Sequence, residues 1–121
     1  MARVLVVEDE FVIALNASML LEDEGMLVDT AYDGAEALEM IVSNPPSLIV
    51  TDYMMPVMDG LELITALRRQ GWRGPIILAT AISEDRLPSN YKGGHDAYIS
   101  KPYMAGDFVS LVKELLARAG Q

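Results

Sequence analysis

Glu8 and Asp9 together end one short, mostly apolar run, Asp52 ends another, and Thr80 and Lys101 stand at the ends of two more. Brought to one rim, these side chains suit phosphoryl transfer. Crowded carboxylates raise one another's pKa unless a cation neutralises them. Magnesium fits such a set, because it takes one or two carboxylates, a carbonyl and several waters and leaves room for a phosphate oxygen. A carboxylate beside that metal is a nucleophile toward a phosphoryl group and forms an acyl phosphate. The Lys101 ammonium offsets charge on the transferring oxygens, and the Thr80 hydroxyl can donate to one of them.

Positioning these groups takes strands that end on a common edge. Arg3 to Val7 reads as a buried strand and Glu10 to Glu24 as a helix stopped by Gly25. Met26 to Ala31 is a second strand. Asp33-Gly34 then opens a helix through Ala35, Ala37, Leu38, Met40, Ile41 and Val42, which Asn44-Pro45-Pro46 breaks. Ser47 to Thr51, Ile76 to Ala79 and Ala97 to Ser100 supply three further strands. Asp59-Gly60 caps a helix through Leu61, Leu63, Ile64 and Leu67, and Asp107 to Ala119 forms a closing helix. Apolar strands alternating with helices predict an α/β fold: a doubly wound five-stranded parallel sheet, flavodoxin-like, with order 2-1-3-4-5 and helices on both faces. Such sheets place functional groups at the carboxyl ends of their strands.

Composition narrows the function further. The 121 residues suit one domain, 1–121, and 51% hydrophobic residues suffice for a core. Eighteen acidic against 9 basic side chains give a formal charge of −9. That balance argues against direct contact with nucleic acid or an anionic membrane surface. Cysteine is absent, which excludes disulfides and thiolate chemistry. No signal peptide or membrane span is legible, so a cytoplasmic location is expected. No output domain is expected after the last helix, as in a stand-alone regulator or a domain cut from a longer one.

Five motifs in order carry a resemblance that covers nearly the whole chain. Val6-Val7-Glu8-Asp9-Glu10, Tyr32-Asp33-Gly34-Ala35-Glu36-Ala37-Leu38 and Asp52-Tyr53-Met54-Met55-Pro56-Val57-Met58-Asp59-Gly60 are three of them. Ala79-Thr80-Ala81 and Tyr98-Ile99-Ser100-Lys101-Pro102-Tyr103 complete the set. Together they resemble the receiver domain of response regulators. The resemblance implies that Asp52 is the phosphoacceptor, fed by a histidine kinase or a histidine phosphotransfer protein. It implies a Mg2+ (or Mn2+) site made by Glu8, Asp9, Asp52 and the backbone carbonyl of Met54. Thr80 and Tyr98 would be a coupled switch pair, Lys101 the phosphate partner, and Lys101–Pro102 a cis peptide. No external substrate would be turned over. The alternative is a receiver-fold scaffold that acts by protein contact without phosphorylation.

Two other classes fit less well. Dehalogenase-like phosphatases resemble Asp-x-Asp, but Met54 stands where their second acid belongs. A flavodoxin-type module needs glycine and hydroxyl residues after its first strand, where Glu8-Asp9-Glu10 would repel a phosphate.

Two segments depart from the pattern. Ser83 to Gly94 should contain the fourth helix, yet Pro88 and Gly93-Gly94 interrupt it. A short or irregular helix is expected there, although the resemblance implies signalling through a face made by helix four, strand five and helix five. In the first helix, Ile13, Ala17, Leu20 and Leu21 are expected to face the sheet. Phe11, Val12, Leu15 and Met19 fall on the opposite side. That arc is expected to contact a partner or a second copy, or to fold in part beneath a loop. His95 is expected to be a loop residue, and Met54, Met55 and Met58 to serve packing.

Overall fold

The computed structural model describes residues 1–120. Five strands, β1 (Arg3–Val7), β2 (Leu27–Ala31), β3 (Leu48–Thr51), β4 (Ile76–Thr80) and β5 (Ala97–Ser100), form one parallel sheet of order β2-β1-β3-β4-β5. Helices α1 (Phe11–Glu22), α2 (Gly34–Ser43), α3 (Gly60–Arg69) and α4 (Ala105–Arg118) complete the regular elements. The expected architecture and strand order are thus present, with boundaries within a few residues.

Strand alternation divides the core into two layers. Val4, Val6, Leu48, Val50, Ile77 and Ala79 face α1 and α4, where Phe108, Val112, Leu115 and Leu116 are buried. Leu5, Val7, Ile49, Ile76 and Leu78 face α2 and α3, against Ala37, Ile41, Leu63, Ile64 and Leu67. Burial on both faces explains why the strands read as continuous apolar runs.

The α3 start is the best defined local feature. The Asp59 side chain accepts from Glu62 N at 2.8 Å, and Glu62 returns the contact to Asp59 N at 2.9 Å. Helix α1 needs a correction. Its buried residues are Ala14, Ala17, Ser18 and Leu21, while Ile13 and Leu20 are only half-buried. Small side chains let the helix approach the sheet closely. The Ser18 hydroxyl donates to Ala14 O at 2.9 Å, so its burial leaves no polar group unpaired.

The β4–β5 crossover carries a 3₁₀ turn at Glu84–Arg86 in place of an α-helix, so the irregularity expected there is more complete than a shortened helix. Residues 81–96 run as a strap. Leu87 and Tyr91 anchor it to the core layer beneath α2 and α3, the lower of the two. Arg68 fixes its far end: Nε donates to Gly94 O at 2.9 Å, while one terminal nitrogen donates to Trp72 O at 3.0 Å and Gly74 O at 2.8 Å. The other terminal nitrogen pairs with Asp96 at 2.8 Å. His95 joins the Tyr91 hydroxyl through Nδ1 and the Glu84 carboxylate through Nε2, each at 2.9 Å.

Burial pushes the Tyr91 hydroxyl up to about 12, with the nearby Glu84 charge acting in the same direction. The unfolded chain releases this proton near pH 10, while the folded protein keeps it. Stability is therefore expected to fall as pH rises from about 10 to about 12, by about 1 kcal/mol after allowance for partial exposure. Denaturant titrations across that range should show a flatter slope in Tyr91→Phe. Tyr103, raised first by burial as well, retains part of the slope.

Candidate functional site

The β1–β3 pairing aligns Val7 with Thr51, so the residues that follow, Glu8 and Asp52, emerge side by side. Glu8 N donates to Ala31 O at 2.9 Å, and Asp52 N donates to Val7 O at 3.0 Å, which fixes both backbones to the sheet edge. The Glu8 side chain is buried at 3% exposure, whereas Asp9 is exposed. One oxygen each from Glu8, Asp9 and Asp52 lies within 4.8 Å of the others.

Lys101 reaches this cluster from the end of β5. Its Nζ pairs with Glu8 Oε1 and lies 3.2 Å from Asp52 Oδ2. Its backbone N–H donates to Thr80 O at 3.0 Å, and the Lys101–Pro102 peptide is cis, as the resemblance implied. Burial outweighs the Lys101 contact and holds the Glu8 carboxyl above its usual range. Burial alone would lower Lys101, but the Glu8 hydrogen bond and the Asp52 and Glu8 charges raise its ammonium above the ordinary value.

Asp52 is oriented by its own loop. Tyr53 N donates to Oδ1 at 2.7 Å, which leaves Oδ2 on the Lys101 side. The loop turns back tightly: Gly60 N donates to Tyr53 O at 2.7 Å, and Val57 adopts φ 70, a left-handed conformation uncommon for a β-branched residue. Met55 and Met58 pack against the lower layer, but Met54 is 59% exposed and serves no packing role, contrary to expectation.

Thr80 is buried at the end of β4, and its hydroxyl oxygen accepts from Ile82 N at 3.3 Å. The Tyr98 hydroxyl donates to Ile82 O at 2.6 Å. The two side chains are therefore joined through the Ile82 backbone. No single-sequence signal marks Ile82 as that link, because its side chain plays no part. Asp9, Asp52, Thr80, Lys101, Met54 and Ile82 all line one open cleft of about 680 Å3.

The first-helix arc is uncovered. Phe11, Val12, Leu15 and Met19 are 62, 74, 46 and 54% exposed. Phe11 lies over Tyr32 with ring centroids 6.5 Å apart, and Val12 also borders the cleft. The alternative in which a loop buries this arc is not what the structure shows.

The acidic cluster is an all-oxygen donor set, which suits magnesium or manganese over softer metals. Among the described residues, no helix is long and apolar enough to cross a membrane.

Comparison with known proteins shows the family and the fold. The family model described as the response regulator receiver domain matches residues 4–113. The chain is 40% identical over 119 residues to the transcriptional regulatory protein PrrA of Mycobacterium tuberculosis, covering 98% of this chain and 51% of that protein. It is 38% identical to the response regulator MprA of Mycobacterium ulcerans, covering 96% of this chain and 50% of that protein. The chain thus spans about half the length of these curated relatives. Among solved structures, the Francisella response regulator 1452 receiver domain superposes with TM-score 0.90 at 34% identity, covering 98% of each chain. Response regulator protein TrrA from Thermotoga maritima, solved with Mg(2+)-BeF, gives TM-score 0.86 at 35% identity over 95% of this chain and 99% of its own.

Proposed function

Since the chain belongs to the response regulator receiver domain family, we propose that it is a phosphoacceptor switch of a two-component phosphorelay with Asp52 as acceptor. The observation that carries this is the convergence of Glu8, Asp9 and Asp52 oxygens within 4.8 Å, with Lys101 Nζ 3.2 Å from Asp52 Oδ2.

Tyr53 N–H holds Oδ1, and Oδ2 attacks the phosphorus of a donor phosphohistidine. The new O–P bond forms as the P–N bond breaks, and the imidazole leaves with the bonding pair. Lys101 follows the charge onto the phosphoryl oxygens. The Thr80 hydroxyl, now an acceptor from Ile82 N, donates to one of those oxygens. This moves the Ile82 peptide and loosens the Tyr98 hydroxyl from Ile82 O. Mg2+ or Mn2+, held by Glu8, Asp9, Asp52 and the Met54 carbonyl, would supply positive charge beside the phosphoryl group.

The donor is a histidine kinase or a histidine phosphotransfer protein, and no external substrate is turned over. We place residues 1–121 as one receiver domain in the cytoplasm, with no direct contact to nucleic acid or membrane in this segment. The α1 arc is the docking face for the donor or for a second copy. Leu15→Glu is expected to slow phosphorylation by a cognate kinase about tenfold while leaving acetyl phosphate labelling unchanged. Unaltered kinase transfer together with unaltered dimerisation would remove α1 from the interface.

The test is intact mass after incubation with acetyl phosphate and Mg2+. One added phosphoryl group is expected, and chelation with EDTA should abolish it. Absence of any gain, with acetyl phosphate and with kinase alike, overturns the assignment.

A further inference from the structure

Among the described residues, the β4–β5 crossover is the one connection between strands that carries no α-helix. Sheets of this class are covered on both faces. Here only Leu87 and Tyr91 reach the lower layer from the strap, and Tyr98 stays half-buried. Between the strap and α3 an open groove of about 510 Å3 remains. Its α3 wall is Glu62, Thr65, Ala66 and Arg69, the i, i+3, i+4, i+7 face of a helix. Tyr91 forms the facing wall, and Tyr53 lines the groove beside the acceptor.

The groove also has a charge axis. Asp59 and Glu62 lie at the N-terminal end of α3, and Arg69 at its C-terminal end has no ion-pair partner among the described residues. We propose that this groove receives an amphipathic helix of an effector protein, antiparallel to α3, in the place of the missing crossover helix. Helices favour acidic residues in the first turn and basic residues in the last. An antiparallel helix therefore sets its basic end against Asp59 and Glu62, and its acidic end against Arg69. The 10 residues of α3 span about 15 Å, so about three turns suffice. Apolar anchors at helical spacing fill the space between Ala66 and Tyr91.

A second copy of this chain is a poor occupant. The apolar faces of α2, α3 and α4 are buried in its own core. The exposed face of α1 ends in Glu22, Asp23 and Glu24, the wrong sign for Asp59 and Glu62. Tyr53 supplies the coupling, since its N–H holds Asp52 Oδ1 and the same residue lines the groove. The role of this groove as the output surface rests on phosphorylation of Asp52, whereas the docking itself does not.

The probe is a lactam-stapled peptide of about three turns, with leucine on one face, glutamate in its first turn and lysine in its last. Saturable shifts are expected in the amide resonances of Thr65, Ala66 and Tyr91. Ala66→Arg should weaken binding about tenfold or more, and Thr65→Glu serves if that variant is unstable. A peptide with its charged ends exchanged should bind about threefold more weakly at low salt, with the difference shrinking at high salt. Shifts at the α1 face instead, peptide-driven dimerisation, or equal binding by the groove variants overturn the docking. Acetyl phosphate and Mg2+ should change the affinity of the wild type and not of Asp52→Asn, with loading verified by mass. Groove binding indifferent to verified phosphorylation overturns the output role.

Discussion

Asp52→Asn is expected to abolish phosphoryl uptake from acetyl phosphate while the domain stays folded. The asparagine keeps the shape of the side chain and an oxygen for the Tyr53 N–H, which donates at 2.7 Å in the parent. It lacks the anionic oxygen that would attack phosphorus, so intact mass should show no gain at any donor concentration. Stability should move little or rise slightly. The parent crowds three carboxylate oxygens within 4.8 Å around a single ammonium, and removing one charge relieves repulsion within that cluster. A gain of about 0.5 kcal/mol at low ionic strength is the expected scale, smaller in high salt. Magnesium affinity, measured by calorimetry, should fall in the same variant. Labelling that persisted would move the acceptor to another residue, with Asp9 the first to examine.

Gly60→Ala is expected to be among the most damaging single-methyl changes in the chain. A Cβ at this position would sit 1.8 Å from the Asp52 carbonyl oxygen and 2.8 Å from its carbonyl carbon. Both obstacles are backbone, and Gly60 N is bonded to Tyr53 O at 2.7 Å, so neither side of the clash can yield independently. The loop must open, which costs about 3 kcal/mol or more and lowers the melting temperature by roughly 10 °C. Because the displaced atoms belong to Asp52, labelling should slow as well. Gly106→Ala is the matched control. Nothing lies within 4 Å of its added Cβ, and the helical position favours alanine by up to about 1 kcal/mol. Melting curves of the two variants should therefore shift in opposite directions.

Much of this architecture is legible because each strand is short, apolar and ends at a residue with chemistry. Glu8, Asp52, Thr80 and Lys101 follow or close four such runs, and a parallel sheet brings strand ends to one edge. The phase of α1 is not legible in the same way. Apolar residues occupy most of its circumference, so periodicity cannot choose between large Ile13 and small Ala14, and close packing against the sheet decides for the latter. Met54 reads as a packing residue beside Met55 and Met58, but the tight turn at Val57 points the loop so that only the latter two meet the core. Arg68 is invisible to sequence logic for another reason. Its partners, Trp72, Gly74, Gly94 and Asp96, are mostly backbone carbonyls, which leave no trace in residue types.

The strap that takes the place of a helix also makes the domain a natural carrier for a reporter. Pro88, Ser89 and Asn90 are exposed and hold no regular element together. One flank is tied to the sheet edge that carries Asp52 through Ile82 and Tyr98, and the other is clamped to α3 by Arg68. A fluorescent module inserted between Ser89 and Asn90 would therefore leave the sheet intact. It would also feel any movement at Ile82 against a fixed opposite post.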